Sequence, residues 1–147
     1  MKKQNIVKKL LALTDYNAET KRHFLKLGNM NDPMYESLKD FIYEHDEIGV
    51  DNAYMFTAYG LEILDGILAY TDNEDAIQDQ ISEQADSYTP IYYYEIGEWL
   101  KDNVTLVDDV KEELGTSGDT YKDTQTAYFI TLERVTNELY QLVKELE

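Results

Sequence analysis

The sequence predicts an all-α protein: a single compact, acidic helical domain of about seven or eight helices spanning residues 1–147. Three observations carry that expectation. Apolar residues recur at spacings of three and four along nearly the whole chain, the period of one helix face. Both prolines follow a capping residue, in Asp32-Pro33 and Thr89-Pro90, where proline opens a helix rather than breaking it. An apolar fraction of 43% with 13 tyrosines supplies a core large enough to resist disorder despite a net charge of −17.

Taken in order, the first helix runs from about Asn5 to Leu13 with Ile6, Leu10 and Leu13 on one side. Asn17 can cap a second helix that Gly28 ends. Asp32-Pro33 opens a third with Tyr35, Leu38, Phe41 and Ile42 inward. After a turn at Ile48 to Val50, Asp51 is the expected cap of a longer helix reaching about Tyr70. Its Met55, Phe56, Tyr59, Ile63, Leu64, Ile67 and Leu68 cover much of the circumference, as expected of a central, buried helix. Gly60 and Gly66 within it imply close packing or a bend.

Asp72 is the expected cap of the next helix, whose Ile77, Ile81 and Ala85 share a face. Thr89-Pro90 starts another, from Ile91 to Lys101, and a shorter one follows from about Leu106 to Leu114, stopped by Gly115. The last helix, Thr120 to Leu146, repeats Tyr121, Thr124, Tyr128, Leu132, Val135, Leu139, Leu142 and Leu146. That regularity suits covering the domain or pairing helices between subunits.

Charge is divided unevenly along the chain. Residues 1–30 carry seven basic groups against Asp15 and Glu19, whereas 31–147 hold six basic and 28 acidic residues. The basic N-terminal helices therefore precede an acidic body, and direct nucleic-acid binding by the whole chain is not expected. Between Lys39 and Lys101 lie 61 residues with no lysine or arginine and 15 aspartates and glutamates. A surface built only for solubility intersperses the two signs, because unopposed like charges repel and lower stability. Such a field is suited to a positively charged partner.

Enzyme constellations are weak. With no cysteine, thiolate metal sites and thiol nucleophiles are excluded. His23 and His45 stand in neither a Glu-x-x-His nor a His-x-x-x-His pattern. Gly115-Thr-Ser-Gly-Asp119 lacks the lysine of a phosphate-binding loop. The run Asp72-Asn-Glu-Asp75 with Asp79 lacks the glycine and terminal glutamate of a calcium-binding hand. No catalytic residue, cofactor or metal is expected. Nothing approaches the roughly 18 apolar residues of a membrane span, and no small-residue cleavage pattern follows the N-terminal segment. A cytoplasmic location is the expectation.

The carboxylates themselves form a pattern. Asp75, Asp79 and Glu83 recur every four residues, as do Asp40 with Glu44, Asp108 with Glu112 and Asp109 with Glu113, while Glu95, Glu98 and Asp102 follow at three and four. Helical neighbours of this kind lie about 5–6 Å apart at Cβ. Phosphates along one strand of duplex DNA stand about 7 Å apart through space, for a rise of 3.4 Å along the axis. Rows of carboxylates on rigid helices can therefore imitate a phosphate row. The expected partner contacts are Asp72, Glu74, Asp75, Asp79, Glu83, Asp86, Glu95, Glu98 and Asp102.

One stretch goes beyond charge. Asp79, Ile81, Ala85, Asp86, Pro90, Tyr92, Tyr93 and Ile96, with Glu95 in place of an aspartate, resemble the Ocr-type phage antirestriction proteins. These share an Asp-x-Ile helix, an Ala-Asp ending, and Pro-x-Tyr-Tyr-x-acid-Ile opening the next helix. The match covers about 18 residues, and this chain departs from the family in its basic N-terminus and in lacking a very acidic tail. The resemblance implies an acidic, helical, homodimeric mimic of bent duplex DNA. Its implied partner is a host DNA-binding defence protein, such as a restriction–modification, BREX-like or CRISPR nuclease complex. The competing expectation is a shape-specific inhibitor, such as an anti-CRISPR protein that does not mimic DNA. Tyrosines among Tyr88, Tyr92, Tyr93 and Tyr94 would anchor it.

Overall fold

A helix that is apolar around most of its circumference is stable only when other helices surround it, and the segment Val50–Tyr70 is such a helix. The computed structural model describes residues 2–14, 32–87 and 120–147. Among these are five α-helices and one short 3-10 turn, with no strand. The helices are α1 (Lys3–Thr14), α2 (Pro33–Glu44), α3 (Val50–Tyr70), α4 (Glu74–Ser87) and α5 (Thr120–Glu145), with the 3-10 turn Asp46–Ile48 between α2 and α3. The expected helices ending at Gly28, opening at Thr89-Pro90 and spanning 106–114 lie outside the described residues.

Helix α3 is the hub. It packs most extensively on α5 and α1, and also on α2 and α4, while α4 and α5 pack on each other. Its buried side chains include Tyr54, Phe56, Leu61, Ile63, Leu64 and Ile67, so Tyr54 and Leu61 add to the expected set. Met55, Tyr59 and Leu68 are only partly covered. Gly60 is the point of closest approach to α5: a Cβ there would stand 2.7 Å from Leu139 Cδ1 and 3.1 Å from Thr136 Oγ1. Gly66, by contrast, is exposed. The ring of Phe56 meets that of Tyr128 on α5 at 5.3 Å between centroids. The regular last helix therefore covers the domain, with Tyr128, Leu132, Val135, Leu139, Tyr140 and Val143 in the core.

Three threonines inside this core satisfy their hydroxyls locally. The buried hydroxyls of Thr57, Thr131 and Thr136 donate to the carbonyls four residues earlier, at 2.6, 2.8 and 2.7 Å. Such back-bonding lets threonine lie against a neighbouring helix without a cross-helix partner. Helix α2 behaves as its sequence predicts. The Asp32 carboxylate accepts from Met34 N at 2.9 Å, Pro33 opens the helix, and Tyr35, Leu38, Phe41 and Ile42 are all buried. At its other end His45 Nδ1 donates to Phe41 O at 2.7 Å, and Nε2 meets Glu138 Oε2 on α5 at 2.6 Å.

Two expected caps are corrected. Helix α3 begins one residue before Asp51, after Gly49 with φ 85° and ψ 140°. That left-handed region favours glycine and lets the chain leave the 3-10 turn directly into the helix. At the start of α4 the cap is Asn73, not Asp72: its Oδ1 accepts from Ala76 N at 3.1 Å. Thr71 Oγ1 in turn accepts from Asn73 N at 3.1 Å. A capping side chain must reach the third helical amide from the residue just before the helix, and Asp72 is one position too early.

Candidate functional site

The sequence of α4 assigns its two faces unambiguously. At 3.6 residues per turn, or about 100° per residue, Ile77, Ile81 and Ala85 fall within about 80° of arc. All three are buried against the core. Asp75, Asp79, Glu83 and Asp86 fall within a similar arc on the opposite side, and all four are exposed. The acidic stripe therefore points directly away from the body of the protein. From Asp75 to Asp86 it spans twelve residues, about 16 Å of helix axis.

Two contacts with α5 hold α4 in this rotation. Ser82 Oγ donates to Glu133 Oε1 on α5 at 2.6 Å. Lys144 of α5 donates to Glu74 in the first turn, and this hydrogen bond and charge hold the Glu74 carboxyl below its usual range and raise the Lys144 ammonium. Within α4 itself Gln80 Nε2 donates to Glu83 Oε2 at 3.3 Å. Within the stripe the carboxylates are like-charged neighbours, each pair costing a few tenths of a kcal/mol.

Asp72, Asp75, Asp79, Glu83 and Asp86 are exposed. Glu74 is exposed too, but its charge is engaged by Lys144, and it lies toward α5 rather than in the stripe. Glu95, Glu98 and Asp102 lie outside the described residues, as do Tyr88, Tyr92, Tyr93 and Tyr94. Asp40 and Glu44 form a second exposed pair on α2, a helix that packs on α1 and α3 rather than beside the stripe. Of the described N-terminal lysines, Lys2, Lys8 and Lys9 are exposed. Lys3 reaches Glu147 at 3.7 Å and lies 5.5 Å from the Tyr140 ring centroid.

A cleft of about 540 Å³ runs between α3 and α4, lined by Glu62, Ile63, Gly66, Ile67 and Tyr70 on one side and by Gln80 and Gln84 on the other. Tyr70 is 89% exposed. The available signal was a glycine inside an otherwise favourable helix, with a tyrosine one turn later. Among the described residues no three histidine, aspartate or glutamate side chains converge as a metal site, and no helix is long and apolar enough to cross a membrane. No protein-family model, curated protein or solved structure matches the chain.

Proposed function

We propose that this chain is a non-catalytic, phage-type anti-defence inhibitor that mimics duplex DNA and occupies the DNA-binding site of a restriction–modification or related defence complex. The observation that carries the reading is the row Asp75, Asp79, Glu83 and Asp86, exposed on one face of a helix whose opposite face is locked into the core. It stands in a stretch of 61 residues without lysine or arginine. A phosphate-binding groove recognises spacing and charge rather than sequence. A row on a rigid helix with about 5–6 Å between successive Cβ atoms presents both without the conformational cost of ordering a flexible backbone. Asp79 and Asp86 are also among the positions that resemble the Ocr-type proteins. The host cytoplasm is where such an inhibitor meets its target.

The first test is plating of unmodified phage on a host carrying a type I restriction system, with and without this protein expressed. Restored plating supports antirestriction and leads to competition against duplex DNA on the purified complex. Unchanged plating removes type I enzymes as the target. The second reading, a shape-specific inhibitor, is favoured by the exposed rings of Tyr70 and Tyr43, 89% and 48% accessible. Loss of inhibition on Tyr70→Ala with little salt dependence would support that reading over mimicry.

A further inference from the structure

The cleft between α3 and α4 combines four features that one chemical group satisfies together. Its floor is apolar, formed by Ile63 and Ile67, which are 6% and 5% exposed. Between them Gly66 leaves the helix backbone open, with no described atom within 4 Å of where a Cβ would stand. Exposed Glu62 and the nearly fully exposed ring of Tyr70 bracket Gly66, four residues to either side. They lie along one strip of α3 about 12 Å long. The far wall, Gln80 and Gln84, is joined to the acidic stripe through the Gln80–Glu83 hydrogen bond of 3.3 Å. No basic residue is among the described residues lining the cleft.

We infer that this cleft seats a cationic side chain of the protein partner, arginine in preference to lysine, beside the acidic row. This rests on the reading of α4 as the partner-facing helix. An arginine has an apolar stem that can lie on Ile63 and Ile67 over the open backbone at Gly66. Its flat guanidinium can stack on Tyr70 and meet carboxylate and amide oxygens in plane, geometry that a lysine ammonium does not match. A DNA-binding groove is rich in such arginines. The acidic row supplies attraction, and the cleft adds a shaped pocket that distinguishes one cation from the other.

The experiment titrates the isotopically labelled full chain with a tetra-arginine peptide and a tetra-lysine peptide at low salt, read by NMR. The expected result is a shift of the Gly66 backbone amide and the Gln80 and Gln84 side-chain amides, with arginine bound about tenfold more tightly than lysine. Gly66→Leu, which fills the cleft from an exposed helical position, should remove that preference without lowering the melting temperature. Tyr70→Ala provides a second variant at an exposed position and should also remove it. Equal affinities, shifts confined to the backbone amides of Asp75, Asp79, Glu83 and Asp86 with Gly66 and the Gln80 and Gln84 side-chain amides unmoved, and no effect of either variant would overturn the inference and leave the acidic row intact. Peptide-independent Gly66 shifts that grow with protein concentration and vanish in Gly66→Leu would also overturn it, by assigning the cleft to a second copy. Neutralising Asp75, Asp79, Glu83 and Asp86 in the phage-plating assay tests the row separately from the cleft.

Discussion

At the scale of single residues, two glycines on one helix separate packing from exposure. An added methyl at Gly60 meets Leu139, which is fully buried, and crowds Thr136. Gly60→Ala is expected to destabilise the protein by about 1–3 kcal/mol through overpacking. Gly66→Ala, at an exposed helical position, should stabilise it by about 0.5–1 kcal/mol through helix propensity. Urea unfolding of the two variants side by side checks both signs. Tyr54 offers a pH test. Burial, reinforced by Tyr35 and Tyr43, pushes its phenol above the usual tyrosine range, so the folded state holds the proton more tightly than the unfolded chain does. Stability from this group is complete below the unfolded tyrosine value of about 10 and is lost as pH rises beyond it. Unfolding midpoints measured from about pH 8 to 11 should fall, and Tyr54→Phe should flatten that slope.

At the level of elements, α4 carries opposite chemistries on its two faces, apolar inward and acidic outward. Its first turn depends on Asn73, whose side chain accepts from Ala76 N. Asn73→Ala should cost about 1 kcal/mol, whereas Asp72→Ala at the neighbouring exposed position should leave thermal stability nearly unchanged. Melting curves of the pair settle which residue caps the helix. The Glu74–Lys144 contact ties the same turn to α5. With the Glu74 carboxyl lowered, its small contribution is present above the ordinary carboxylate range and disappears as pH falls through its folded value. The raised Lys144 sets the opposite limit, lost only as pH rises through its own folded value.

At the scale of the whole molecule, a net charge of −17 lowers stability and favours association with a cationic partner. Replacing Asp75, Asp79, Glu83 and Asp86 together with their amides should therefore raise the melting temperature while abolishing inhibition of the target. Each relieved like-charge pair contributes a few tenths of a kcal/mol. A quadruple variant that both melts lower and inhibits normally would contradict the assignment of this face. Binding by the parent should weaken steeply as salt is raised, with the loss concentrated in the association rate.

Much of the fold was legible in advance because helix periodicity and capping are local properties. The all-helical class, the buried faces Tyr35-Leu38-Phe41-Ile42 and Ile77-Ile81-Ala85, and the Asp32-Pro33 start all follow from residues within a few turns of one another. The two misplaced caps show where this local reading reaches its limit. Asp72 and Asn73 are both good caps by composition, and the Thr71 hydroxyl on Asn73 N selects between them. The stripe on α4 could be found from spacing, since its acidic residues and its core residues share one period half a turn apart. Its engagement could not. That Glu74 is neutralised by a lysine 70 residues later, and that Gly66 opens a cleft while Gly60 closes a helix contact, depend on which helices become neighbours. Local periodicity was enough to set the faces and charge of the described helices, whereas which acids stay unengaged and where a cleft opens follow from the way those helices become neighbours.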